Sequence, residues 1–129
     1  MNKEKVKTVA LWIARILVAL VFITAGSRKL MGGEGVEEIF QHWGFPDKFY
    51  YFIGAVEVLG GIGLLTPRLA GYAAVLLFGN MTGAIITHLT HNEAERLPLP
   101  VLLLILLAIV AYAKRPAFLR KTEIPVSKN

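Results

Sequence analysis

Four long apolar blocks of similar length constrain this chain more than any other feature of its sequence. They run from about residue 9 to 26, 49 to 65, 69 to 89 and 97 to 113. Each is close to the ~20 residues that a helix needs to cross a hydrocarbon core of ~30 Å. At that depth a helix satisfies its own backbone hydrogen bonds. The pattern predicts an all-α polytopic membrane protein, a bundle of four transmembrane helices that forms one domain of residues 1–129.

A water-soluble helical bundle is the alternative that these blocks disfavour. Hydrophobic residues make up 55% of the chain, and they are not spaced to leave a polar face on each helix. A helix that is apolar all round lies in lipid or in the core of a large protein. A chain of 129 residues has too small an interior to bury four such helices.

The distribution of positive charge predicts the orientation. The net charge is +5, but the lysines and arginines lie mostly at the block edges, where they meet lipid headgroups, so we expect no nucleic-acid partner. Both termini and the turn at Arg68 together hold nine Lys and Arg, against four in the other two connections. This bias predicts a multi-pass protein of the plasma (inner) membrane with both termini cytoplasmic. Residues 114–129 would form a basic cytoplasmic tail.

Two further segments need interpretation. The first block resembles a signal peptide, but Arg15 would be unwelcome there, so we expect a retained helix. In the first external loop, the apolar residues from Val36 to Trp43 share one helical face. They predict a short amphipathic external helix that lies in the interface or caps the bundle. Its aromatic residues, Phe40 and Trp43, are candidates for contacting a partner.

Polar residues within the apolar blocks supply the first functional signal. Arg15, Glu57 and Asn80 interrupt the first three blocks. If every helix starts at the same membrane plane, these residues lie about 9, 12 and 16 Å from the cytoplasmic side. One layer would then hold all three, and Arg15 would bind Glu57 bidentately. This buried ion pair either fixes the helix register or belongs to a ligand pocket, and the residues leave both interpretations open.

A second polar layer is predicted toward the outside. Lys29 closes the first helix and His88 closes the third. His88 is a candidate to donate a proton or a hydrogen bond to a ligand. His91 follows on nearly the same face, but we expect no metal site, since the chain contains no cysteine and only Glu93 and Glu95 lie nearby.

The glycines predict close helix contacts. Gly60, Gly61 and Gly63 lie in the second block, and Gly79 and Gly83 form a small-xxx-small pair in the third. Residues without a side chain let membrane helices approach closely. We therefore assign all five to helix packing.

Taken together, these residues resemble the DoxX family of small four-helix membrane proteins. The ordered set extends from Ala14 to about Ala113 and comprises Arg15, the Gly26-Ser27-Arg28-Lys29 run, Gly44-Phe45-Pro46, Glu57-Val58-Leu59-Gly60-Gly61, Thr66-Pro67-Arg68 and a closing His88. The family takes its name from a subunit of a thiosulfate:quinone oxidoreductase, and other members are implicated in membrane redox complexes. Carried over, Arg15, Lys29, Glu57 and His88 match its recurring polar residues. The chain has no cysteine, so a thiol–disulfide relay within this chain is excluded.

The resemblance favours a quinone-interacting or redox-complex subunit. Quinone would be its cofactor, bound by Arg15 and Glu57 or by His88 and Lys29, with Asn80 nearby. One alternative is a non-catalytic scaffold, chaperone or adaptor, and another is a small transporter. The partners left open are membrane lipids, a redox or other membrane protein, and a second copy in a homodimer. Whether the chain is itself an enzyme is also left open by the sequence.

Overall fold

The structure, a computed structural model, describes residues 2–116 and is helical throughout that range, with no strand. In chain order it contains α1 (Lys3–Met31), α2 (Glu34–His42), α3 (Phe49–Leu65), α4 (Ala70–Thr90), a short 3-10 helix (Ala94–Arg96) and α5 (Pro98–Ala113). The all-α prediction is confirmed for this range. Most of the predicted basic tail, residues 117–129, lies outside the described residues.

Helix boundaries follow the apolar blocks except in α1. Helix α3 has the predicted bounds, and α4 and α5 each begin one residue later than predicted. Helix α1 is 29 residues long because it continues through the polar flanks of its block. It begins where the side chain of Asn2 accepts a hydrogen bond of 2.8 Å from the backbone of Lys5. It ends at Gly32, whose φ of 69° takes the backbone out of the helix.

Two helices, α1 and α4, are long and apolar enough to cross a membrane. Helices α3 and α5 are also apolar, but they are shorter, with 17 and 16 residues. The predicted count of four spans and the cytoplasmic placement of both termini therefore stay predictions.

Helix α1 packs antiparallel against α3 through two glycines. A methyl group added to Gly26 would lie 2.7 Å from the carbonyl oxygen of Gly54, and one added to Gly54 would lie 2.8 Å from that of Gly26. Two backbones approach this closely only where neither residue has a side chain. Gly61 repeats the contact farther along, where an added methyl would meet Ile23 at 2.6 Å.

Helix α4 packs between α3 and α5, and its contact with α3 is tightest near the turn of residues 66–69. There Gly60 faces Leu77 and Gly63 faces Ala73. We call this the turn end of the bundle, and the opposite end, which carries α2 and the 3-10 helix, the capped end. These glycine contacts confirm the packing role predicted for α3. The buried core consists of residues from α1, α3, α4 and α5: Val18, Ala19, Phe22, Leu64, Ala73, Ala74, Leu77, Met81, Leu103, Leu107 and Val110.

The glycines of α4 behave differently, and residues 2–116 do not make the helix contact predicted for them. A methyl group added to Gly79 or Gly83 would meet no non-neighbouring atom of the described residues within 4 Å. Both residues are exposed and border a cavity. Toward the capped end, α3 and α4 therefore leave a gap where the sequence predicted a helix contact.

The predicted amphipathic helix is present as α2, and it caps the bundle. Phe40 is only 7% exposed and lies 5.3 Å from the Trp43 ring and 5.8 Å from the Tyr50 ring, between ring centroids. Ile39, which shares the predicted apolar face, is 41% exposed. The aromatic residues of this segment thus point into the protein.

Candidate ligand-binding cavity

A cavity of about 550 Å³ occupies the capped half of the bundle. This volume lies within the range of pockets that hold small organic ligands, about 300–1,000 Å³. Its walls come from four helices and its roof from α2 and the segment that follows: Val21, Phe22, Ala25 and Lys29 of α1; Phe49, Ile53 and Glu57 of α3; Gly79, Asn80, Met81, Gly83, Ala84, Ile86, Thr87 and His88 of α4; Leu99 and Pro100 of α5; and Phe40, Trp43 and Phe45 of the roof. Polar groups are few and lie at its two ends.

Glu57 is the centre of the first polar end, which we call the floor. Its Oε1 accepts a hydrogen bond of 2.8 Å from Lys29 Nζ, and its Oε2 accepts one of 2.8 Å from Asn80 Nδ2. Both carboxylate oxygens are therefore engaged. The Glu57 side chain is 4% exposed and that of Lys29 is 22% exposed. A buried carboxylate is retained only when charge and hydrogen bonds compensate its lost hydration, and these two donors supply that compensation.

The close contact of α1 with α3 places Lys29 on this carboxylate. The methyl position at Gly54 lies 2.9 Å from Lys29 Cβ, so the lysine starts one turn before Glu57 and extends along α3. Asn80 approaches from α4, at the point where the tight α3–α4 contact ends. Three helices are thus joined by one buried carboxylate.

The predicted pair between Arg15 and Glu57 was wrong. Arg15 Nε donates instead to the backbone oxygen of Leu64, at 2.8 Å, and its guanidinium carbon lies 3.8 Å from the centroid of the Trp12 ring. Leu64 is seven residues beyond Glu57, about 10 Å along the helix axis. The depth estimate placed Arg15 too close to Glu57 because α1 and α3 do not start at one plane.

Arg15 therefore acts at the end of α3. The last carbonyl groups of a helix have no partner within the helix, and the Arg15 side chain satisfies one of them. Arg15 is fully buried, and its Nη1 and Nη2 have no hydrogen-bond partner among the described residues. It does not border the cavity, so the structure separates it from the other four predicted site residues.

His88 and Glu93 form the second polar end of the cavity. We call these two residues and Trp43 the roof latch. His88 Nδ1 lies 2.8 Å from Glu93 Oε1, and the Trp43 indole nitrogen donates to the same carboxylate, at 3.1 Å to Oε1. Asn92, with a φ of 56°, turns the chain after α4 so that Glu93 folds back onto His88. This carboxylate thus connects the roof to the end of α4.

Glu93 also defines the protonation of His88. The hydrogen bond from His88 lowers the pKa of Glu93, partial burial opposes that shift, and the bond from Trp43 adds to it. An ionised carboxylate only accepts hydrogen bonds, so His88 Nδ1 must carry a proton. The hydrogen-bond network thereby assigns the tautomer. Nε2 makes no hydrogen bond within residues 2–116, and His88 borders the cavity.

The two polar ends lie at different depths. Asn80 and His88 are eight residues apart on α4, or about 12 Å along its axis. The predicted outer layer of Lys29 with His88 was therefore wrong in part, because the long lysine side chain reaches inward to Glu57. Sequence reasoning missed Glu93 and the indole of Trp43 as site groups. The signal for Glu93 in the sequence is its position five residues after His88.

Residues 2–116 contain no group of three or more His, Asp or Glu side chains arranged to hold a metal ion. His91 Nδ1 lies 2.8 Å from the backbone oxygen of Thr87. The His91 ring lies 5.6 Å from that of His42, outside the set of residues that border the cavity.

Comparisons with known proteins give a family match and a relative. The profile of the DoxX-like family matches residues 13–110, which include every residue of the floor and the roof latch. The chain is also 32% identical over 75 residues to a Bacillus subtilis (strain 168) protein named "Putative oxidoreductase CatD". The match covers 58% of this chain and 56% of that protein, so the chain spans little more than half of its relative's length. No solved structure matches the chain.

Proposed function

Because this chain belongs to the DoxX-like family of membrane proteins, we propose that its cavity binds the head of a membrane quinone and that the protein is a quinone-interacting subunit of a redox complex. The observation that carries this proposal is the cavity itself. It has apolar walls, and it has hydrogen-bonding groups at both ends. The relative named as an oxidoreductase supports the same class of function.

The residues at the cavity ends fit a ligand with carbonyl oxygens. The ammonium group of Lys29 has three protons and uses one for Glu57 within the described residues. The amide nitrogen of Asn80 has two and uses one for the same carboxylate. Each residue therefore keeps a donor for a carbonyl oxygen. The apolar walls supply the surface that buries the ring of such a ligand.

His88 is the residue suited to proton exchange. With its Nδ1 proton committed to Glu93, His88 Nε2 accepts a proton when the ring is neutral and donates one when the ring is charged. A quinone, when bound, supplies the two-electron chemistry that takes up or releases protons. Because Glu93 fixes the proton on Nδ1, Nε2 is the nitrogen that either takes up a proton from the ligand or gives one to it.

The electrons must come from outside this chain. It contains no cysteine, and the remaining side chains do not cycle electrons readily. This favours a subunit that holds the quinone beside a redox partner over a self-contained oxidoreductase. The scaffold alternative receives no comparable support, because Phe40 is buried and the Trp43 indole is bound to Glu93.

The topology belongs to the same proposal. All four long helices would cross the membrane, with both termini cytoplasmic and the turn end toward the cytoplasm. The capped end, with the cavity and α2, would then face outward. Attaching a membrane-impermeant label to single cysteines introduced at Lys7 and at Glu34 tests this topology. Labelling of the Glu34 site alone in intact cells supports it, and labelling of the Lys7 site contradicts it.

Equilibrium binding of a quinone to the purified full chain tests the function. We expect Lys29→Met and Asn80→Leu each to weaken binding by about tenfold or more, since each removes a donor. Lys7→Met is the matched control, because it also removes a lysine from α1 but lies far from the cavity. The proposal fails if the wild type binds no quinone or if both site variants bind like the control.

A further inference from the structure

The cavity has an opening on the side of the bundle, between α3 and α4. Gly79, Gly83 and Ile86 follow one another at intervals of four and three residues, so they form one stripe along α4. All three border the cavity, and all three are exposed. This stripe is therefore one rim of an opening.

The opening is closed on the side that faces the turn end of the bundle. On its turn side, α3 and α4 are held together by the bond between Asn80 and Glu57 and by the packing of Gly60 on Leu77. Beside that bond at Gly79 and beyond it at Gly83, an added methyl group would meet no atom of the described residues within 4 Å. Phe49 and Ile53 of α3, which also border the cavity, form the opposite rim.

The chemistry of the rim selects hydrocarbon. The side chains of both rims are apolar except that of Thr87, whose hydroxyl donates a hydrogen bond of 2.8 Å to the backbone oxygen of Gly83. At membrane depth such an opening faces acyl chains, and an ion or a water-soluble ligand would gain no compensation there for lost hydration. The absence of side chains at Gly79 and Gly83 leaves room for a hydrocarbon chain, since no helix within residues 2–116 fills the gap.

We infer that the gap between α3 and α4, bordered by Gly79, Gly83 and Ile86, is a lateral portal that holds the hydrocarbon tail of a long-tailed ligand whose polar head lies in the cavity. This inference rests on the proposed function for the head group. It adds that the ligand is a lipophile exchanged with the bilayer through the side of the protein. The floor binds the head, and the portal lets the tail remain in lipid.

Filling the portal tests this inference, and the sequence offers a matched control. A Cβ added at Gly83 has no described atom within 4 Å, so Gly83→Leu directs a larger side chain into the gap, and thermal unfolding checks that the variant retains its fold. Thr82→Leu adds a similar side chain one residue away, at an exposed position that does not border the cavity. The probes are two quinones with the same ring, one without a tail and one with a long isoprenoid tail. Equilibrium binding of both is measured in lipid nanodiscs.

We expect Gly83→Leu to weaken binding of the long-tailed quinone by about tenfold while leaving the tail-free quinone within about twofold. Thr82→Leu should change neither. Equal weakening of both quinones, or no change in either, overturns the portal. Both of these outcomes leave the proposed head site intact, because the wild type binds in each.

If the wild type binds neither quinone, the proposed function fails and the portal needs a separate readout. Trp43 borders the cavity, and Trp12→Phe would leave it as the single tryptophan. Phospholipids brominated along their acyl chains quench a tryptophan that they contact. Quenching of Trp43 that decreases in Gly83→Leu but not in Thr82→Leu supports a hydrocarbon chain in the portal, and equal quenching in all three proteins overturns it.

Discussion

Lys29 Nζ and Glu57 Oε1 lie 2.8 Å apart across the interface of α1 and α3, in a pair that is more deeply buried on its acidic side. The same carboxylate accepts a hydrogen bond from Asn80, so a single acidic residue joins three helices at the floor of the cavity. This arrangement makes the floor both a structural junction and a binding surface, and the two roles respond differently to substitution.

The structural role of the floor predicts that substitutions of Lys29 and Glu57 have strongly coupled effects on the free energy of unfolding. Lys29→Met leaves a buried carboxylate without its cation, which costs about 3–5 kcal/mol in the free energy of unfolding. Glu57→Leu should cost less, since the partly exposed lysine can turn toward the surface. A double-mutant cycle, measured by denaturation in mild detergent, should show a coupling energy of about 1–3 kcal/mol.

The same cycle for Arg15 and Glu57 is the natural control. These residues share no partner and lie about 10 Å apart along the bundle, so their effects should add within about 0.5 kcal/mol. A coupling energy as large as that of Lys29 with Glu57 would contradict the pairing described here and restore the sequence-based prediction.

Arg15 should also be dispensable for ligand binding. It caps α3 at the turn end and does not border the cavity. We therefore expect Arg15→Met to change the free energy of unfolding but to leave quinone affinity within about twofold of wild type in the fraction that folds. Binding to folded protein, isolated by size-exclusion chromatography, is the measurement. A loss of affinity comparable to that of Lys29→Met would place Arg15 in the site.

Replacing a glycine of the α1–α3 contact and replacing a glycine beside the cavity should have opposite effects on stability. Gly26→Ala places a methyl 2.7 Å from a backbone oxygen, so the α1–α3 contact must open, at a cost of about 1–3 kcal/mol. Gly83→Ala meets no atom and removes a flexible residue from a helix, which should stabilise the protein by about 0.5–1 kcal/mol. Thermal unfolding of the two variants tests the difference. Destabilisation by Gly83→Ala would show that α3 and α4 are in contact there.

The roof latch predicts a stability that falls in acid. The pKa of Glu93 is lowered in the folded protein by its bond from His88, so the folded state binds this proton less readily than the unfolded chain. The resulting stability is present above the ordinary pKa of glutamate, about 4.3. It is lost as the pH falls through the lowered folded value. The stability difference between wild type and Glu93→Gln should therefore shrink in that acidic window.

Glu95→Gln is the control for this experiment, because Glu95 is an exposed residue of the same segment. The difference for Glu93→Gln is therefore compared with that for Glu95→Gln at each pH. A difference for Glu93→Gln that grows as the pH falls would contradict the assignment of Glu93 as an ionised acceptor.

Much of the secondary structure could be predicted from the sequence, because helix ends coincide with the edges of apolar blocks. Helix α3 was predicted to the residue, and α2 was recognised from one apolar face. The register between helices could not be predicted in this way. The register depends on where Gly26 and Gly54 touch. The predicted depth of Arg15 assumed that all helices start at one membrane plane. Because α1 continues as a helix to Lys3, that assumption does not hold.

The cavity was beyond sequence reasoning for a related reason. A glycine in a membrane helix permits either a close contact or a gap, and only the packing of the whole bundle decides between them. Gly60 meets Leu77, whereas Gly83 meets no atom. The role of Glu93 could not be predicted because it depends on the turn at Asn92, which folds Glu93 back onto His88.

The most direct test of the central claim is the ligand content of the protein itself. Wild type and Asn80→Leu are purified in mild detergent, matched for thermal stability, and extracted with organic solvent. Quinones and lipids are then identified by mass spectrometry. We expect quinone near one equivalent in wild type and a large loss in the variant, since Asn80 provides a donor at the floor. No enrichment of quinone over the surrounding lipid in wild type, or equal amounts in both proteins, would contradict it.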